Sequence, residues 1–110
     1  MELTQRPDGV WALSGYIDFD NATAVRDRVQ AALGQETSWT LDLAGLEEAG
    51  SIVVALMLAW CRSAAVSGAT VRYVGVPDSL VRLISFVGLQ DLMPVNGDSE
   101  AHADAPAQAY

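Results

Sequence analysis

The sequence predicts an α/β fold, a mixed β-sheet covered by helices in the order β-β-α-β-α-β-α. Two patterns carry this. Segments that alternate apolar and polar residues, such as Trp39–Leu43, lie between segments whose apolar residues recur at helical spacing, such as Val25, Val29, Ala32 and Leu33. An initial hairpin before alternating helices and strands indicates a sheet with both antiparallel and parallel pairs. At 110 residues and 51% hydrophobic, the chain has the length and apolar content for one core.

Glu2–Gln5 and Val10–Ile17 read as strands joined by Arg6-Pro7-Asp8-Gly9, with proline at the second turn position and glycine at the fourth. Trp11, Leu13, Gly15 and Ile17 share one face of the second strand. Asp20 or Asn21 is placed to cap a helix that closes at Gly34. Trp39–Leu43 is the third strand, and Gly45–Gly50 reads as a short connection. Ser51 stands where an N-cap belongs, before a helix running to about Ser67 with Gly68 just past its end. Thr70–Val76 is a fourth strand ended by Pro77. Asp78 then caps a helix striped by Leu80, Leu83, Ile84 and Val87, which Gly88 stops. Residues 1–95 form the domain, and 96–110, polar and without periodicity, read as a loose acidic tail.

Composition narrows the chemistry. The net charge is −8, which repels phosphate backbones and argues against nucleic acid and anionic membranes as partners. All six basic residues are arginine, so lysine-based catalysis and a P-loop are excluded. Gly45-Leu46-Glu47-Glu48-Ala49-Gly50-Ser51 has the glycine spacing of a P-loop, but it lacks the lysine and carries two glutamates that repel a triphosphate. Cys61 is the one cysteine and reads as a core residue; His102 is the one histidine and lies in the tail. No disulfide, metal site or cofactor is expected. Trp11, Trp39 and Trp60 read as core anchors. The first residues lack a signal-peptide pattern, and the longest apolar run, Ile52–Cys61, is too short to span a bilayer. A cytoplasmic protein without direct membrane insertion is expected.

Several segments carry a family resemblance. Leu13-Ser14-Gly15-Tyr16-Ile17-Asp18 with Thr23-Ala24, Leu41-Asp42-Leu43-Ala44-Gly45-Leu46, and Ala49-Gly50-Ser51 before the apolar helix together resemble the STAS domain of the anti-sigma factor antagonists. Leu56-Met57-Leu58-Ala59-Trp60-Cys61-Arg62 and Val87-Gly88-Leu89-Gln90-Asp91-Leu92-Met93-Pro94 resemble the STAS subunit (MlaB) of Mla phospholipid-transport ABC systems. The resemblance spans roughly residues 2–95. It implies a non-catalytic accessory subunit that binds the ABC-transporter ATPase subunit, serves outer-membrane lipid asymmetry, and sits peripheral to the inner membrane through that partner. The alternative it implies is an anti-sigma factor antagonist, switched when a kinase-type anti-sigma factor phosphorylates Ser51. Gly50 stands where the family has aspartate, and Ile52 and Val53 where it has glycine positions, which weighs against phosphorylation.

The candidate partner-binding residues are Ser51, Ile52, Ala55, Leu56, Asp18 and Asp20, with Ser51 as the possible phosphoacceptor. On the helix after Ser51, the residues Ile52, Ala55, Leu56 and Ala59 fall on the side where Arg62, Ser63 and Ser67 mark solvent. Small and apolar residues on a would-be wet face point to a protein contact. Asp18 and Asp20 end a strand beside a helix start and, by the resemblance, lie near the Ser51 loop. As bare sequence, they also suit turn and capping chemistry.

Overall fold

In the computed structural model, which describes residues 1–34, 36–48, 50–89, 91, 93 and 95, the strands β1 (Glu2–Gln5) and β2 (Trp11–Tyr16) pair antiparallel across the expected turn. The Gly9 amide donates to the Arg6 carbonyl at 2.9 Å, and the Val10 amide to Asp8 Oδ1 at 3.0 Å. Next come α1 (Ala22–Leu33), β3 (Ser38–Glu47), α2 (Ser51–Val66), β4 (Thr70–Val74) and α3 (Asp78–Phe86), in the order read from the sequence. The tail expected over 96–110, with His102, lies outside the described residues.

The sheet runs β1-β2-β3-β4, with β2, β3 and β4 parallel. Helical connections between parallel strands are right-handed, and both crossovers step the same way across the sheet. The helices therefore gather on one face, where α2 packs against α1, α3 and β4. Leu13, Trp39, Leu41, Leu43 and Tyr73 project to that face and are fully buried. Ala12, Thr40, Asp42 and Arg72 alternate onto the other, more open face. Across the core the Tyr73 hydroxyl donates to the Met57 carbonyl at 2.6 Å and ties β4 to α2.

The C-terminal ends of α2 and α3 behave as expected. Gly68 and Gly88 take φ of +78° and +79°. The Ala69 amide then reaches the Ala64 carbonyl at 2.8 Å, and the Leu89 amide the Ile84 carbonyl at 3.0 Å. These bonds close the last turns of both helices in Schellman fashion. Helix starts differ from expectation: Gly50 and Pro77 occupy the cap positions, with Ser51 and Asp78 already inside their helices.

The third strand is the main correction. It continues through Glu47 instead of stopping at Leu43, so most of the expected Gly45–Gly50 connection is strand. Leu43 and Leu46 are both buried although three residues apart, because the β2–β3 register shifts between Ala12 and Ser14. The shift absorbs one residue as a β-bulge. Past it Gly45 lies so close to β2 that an added Cβ would meet Ser14 Cβ at 2.8 Å. Gly45→Ala is therefore expected to push β2 and β3 apart and to cost about 1–3 kcal/mol. Urea unfolding measures this, and an unchanged midpoint contradicts the close approach.

Candidate functional site

The extension of β3 fixes the place of the candidate residues. Past the bulge, Tyr16 pairs with Glu47, so β2 and β3 end side by side. The chain leaves both strands at the same end of the sheet, and this brings the Asp18–Asn21 loop beside the start of α2.

The first loop is held by its own side chains. The Asp18 amide donates to Asn21 Oδ1 at 2.9 Å, and the Asn21 amide donates back to Asp18 Oδ1 at 3.0 Å. Asn21 Nδ2 also donates to the Tyr16 carbonyl at 2.9 Å. Asn21 stands at the N-cap of α1 but makes no side-chain cap bond, because its amide group is spent on this loop. Asp18 is half-buried in the turn, while Asp20 is exposed. Between them Phe19 is 90% exposed.

The second loop turns at Glu48, a non-glycine residue with φ of +51°. Gly50 stands beyond it in an extended conformation, and its carbonyl accepts from the amides of Val53 and Val54. Ser51 is exposed, and its hydroxyl makes no hydrogen bond among the described residues. Its expected capping role is thus taken by the Gly50 backbone.

Between the two helices runs a groove of about 290 Å³. Ile52, Ala55, Leu56 and Ala59 line it from α2; Phe19, Ala22, Thr23 and Arg26 line it from the loop and α1. Ala55 is exposed, and Ile52 and Ala59 are half-buried. Leu56 corrects the sequence reading: it is 6% exposed, because α1 packs along this side of α2 and makes Leu56 the groove floor. Sequence reasoning does not find Phe19, Ala22, Thr23 and Arg26. Their i, i+3, i+4, i+7 spacing repeats that of Ile52, Ala55, Leu56 and Ala59, and that was the signal available.

The rim is acidic. Asp18, Asp20, Glu47 and Glu48 lie in these two loops or at the strand end between them. The Arg26 guanidinium on the groove wall has Asp27 as its partner at 3.2 Å. No group of three or more metal-ligating side chains occurs among the described residues, and none of their helices is long and apolar enough to cross a membrane. Cys61 Sγ lies 3.8 Å from the Tyr73 hydroxyl, and burial pushes both the thiol and the phenol above their ordinary values. Neither forms a ready nucleophile at neutral pH.

Ser51→Ala is expected to leave the thermal midpoint almost unchanged, within about 0.5 kcal/mol, since no bond is lost; a loss near the ~1 kcal/mol of a true cap contradicts the Gly50 assignment. Cys61 is expected to react with a thiol reagent much more slowly in the native protein than in denaturant; equal rates contradict its protection.

Comparison with known proteins adds the family. The model described as "Mlab, STAS domain" matches residues 3–94. No curated protein matches the chain. Among solved structures, an anti-sigma factor antagonist from Mycobacterium paratuberculosis superposes with a TM-score of 0.70 at 20% identity, covering 94% of this chain and 90% of that one. The anti-sigma factor antagonist SpoIIAA in its unphosphorylated form gives a TM-score of 0.63 at 21% identity, covering 86% and 84%. The Bacillus cell fate determinant SpoIIAA in the phosphorylated form gives 0.62 at 19% identity, covering 96% and 98%. At these identities the likeness is one of fold.

Proposed function

The chain belongs to the Mlab STAS-domain family, and on that basis we propose that it is a non-catalytic accessory subunit that docks on the ATPase of an Mla-type phospholipid-transport ABC complex. The observation that carries a docking role is the groove between α1 and α2, open at Ala55 and crowned by an almost fully exposed Phe19. An aromatic side chain of this size, held outward beside apolar surface, is the kind of anchor that dominates protein interfaces. Ile52 and Ala55 line the groove beside it with Leu56 as the floor, and Ser51, Asp18 and Asp20 adjoin these lining residues in the chain. Lipid and nucleotide are handled by other subunits. The protein regulates by binding one conformation of the ATPase more tightly than another. It is held at the cytoplasmic side of the inner membrane through that partner.

One observation favours a second reading, an anti-sigma factor antagonist switched at Ser51: the Ser51 hydroxyl is exposed and unbonded at the start of a helix, where a phosphate dianion is tolerated. Against it stand Gly50 and Ile52 and the neighbouring glutamates, which repel added negative charge.

A native pull-down from the source cell with mass spectrometry separates the readings. An ABC ATPase with its permease supports the first; a kinase-type anti-sigma factor without them supports the second. The surface itself is tested by Ala55→Glu. Its carboxylate is solvated in the free domain but loses water in the complex, so affinity falls at least about a hundredfold, or ~2.7 kcal/mol, while the melting temperature holds. Leu56→Glu, by contrast, puts the charge in the core and unfolds the domain. An Ala55→Glu variant that binds normally shows that the partner docks elsewhere.

A further inference from the structure

We infer that the segment seated in the α1/α2 groove is a basic amphipathic helix of the partner protein, its apolar stripe along the groove and arginine or lysine on its flanks. This rests on the docking reading above and specifies the partner's chemistry. The groove is built from two helical stripes, Phe19-Ala22-Thr23-Arg26 and Ile52-Ala55-Leu56-Ala59. Two side-by-side helices offer a third helix a channel for its ridge of side chains. An apolar helix face laid in such a channel is a recurrent recognition mode.

Charge selects which helix. Asp18 and Asp20 flank the groove residue Phe19 in the chain, Glu47 and Glu48 lie in the strand end and turn before α2, and the one arginine lining the groove, Arg26, is ion-paired with Asp27. The loops adjoining this groove thus carry an excess of negative charge, which favours cationic flanks on a partner and repels acidic ones. The chain's net charge of −8 adds a long-range attraction of the same sign. Asp20, Glu47 and Glu48 make no side-chain hydrogen bond among the described residues, so their carboxylates are available to a partner.

The test uses the full chain, isotope-labelled, and two synthetic helical peptides with the same leucine stripe, one flanked by arginine and one by glutamate. The arginine peptide is expected to shift the amide resonances of Phe19, Ile52 and Ala55 saturably, and the glutamate peptide to leave them in place. Raising salt from about 50 to about 300 mM weakens the arginine peptide at least about tenfold. A variant carrying Asp20→Asn, Glu47→Gln and Glu48→Gln weakens it similarly, with an unchanged melting temperature. Equal binding of the two peptides, binding of neither, or shifts confined to the open sheet face overturns the inference. Co-purification of the ATPase, run in parallel, keeps the two readings apart. An ATPase retained equally by the wild type and the neutralised variant overturns the basic helix and leaves docking standing. Absence of the ATPase overturns the docking reading, and the peptide titration still decides the groove's preference.

Discussion

The pairing of β2 with β3 beyond the bulge is the contact on which the rest of this molecule depends. If β3 ended at Leu43, the chain would enter α2 short of the end of β2, and the two loops would not meet. Asp42 helps hold the extension. Its Oδ1 accepts from the Ala44 amide at 2.9 Å, and its Oδ2 from Arg6 Nη1 at 2.7 Å. One carboxylate on the open face therefore joins the first hairpin turn to the bulged part of β3. Gly45 then lets the β3 backbone lie against Ser14 where any side chain would intrude. An irregular strand thereby delivers the Glu48 turn and the start of α2 to a regular position at the sheet's end.

The helix that begins there has neighbours on nearly every side. As the middle of three helices on one face, α2 touches α1, α3 and β4. A helix in that position buries more than a single stripe, which accounts for an apolar run from Ile52 to Cys61 with no charge in it. Val53, Val54, Leu56, Met57, Trp60 and Ala64 are all buried. At its first turns, where α1 begins beside it, the packing leaves a channel. There Ala55 is too small to fill the space, and Asp18 and Asn21 hold the preceding loop so that Phe19 stands clear of the core. The groove is thus a by-product of sheet register, of small side chains on α2, and of a loop stiffened by its own hydrogen bonds.

Periodicity made most of the fold legible in the sequence. Val25, Val29 and Leu33 are buried on α1 as their spacing requires, and Gly68 and Gly88 end their helices through positive φ. The end of β3 was not legible, because a bulge breaks the two-residue period and makes Leu46 resemble a loop residue. The cap of α2 lies one position earlier than the sequence suggests, since a backbone carbonyl can do at Gly50 what a serine side chain does elsewhere. At the site, the α2 stripe could be read from the sequence, but the depth of Leu56 could not. Burial on that side is decided by α1, whose position is set by the crossover and not by α2's own residues. Phe19 escapes notice for the opposite reason: nothing in its spacing from the buried Ile17 marks it as exposed.

The geometry of this site bears on how the proposed docking would work. Among the described residues, the sulfhydryl and the one fully buried phenol face each other in the core, and burial disfavours the ionised form of both. Asp20, Glu47 and Glu48 lie exposed in the two loops that flank the groove or at the strand end between them. Acidic side chains around an apolar channel are instead suited to selecting a partner by charge and holding it by shape. A module of this kind changes its partner only through the difference in affinity between the partner's states. That difference is sharpest when the docking surface is rigid. On the docking role proposed above, the Asp18–Asn21 bonds and the Gly45 approach would serve regulation as well as stability, because they hold Phe19 and the start of α2 at a fixed spacing.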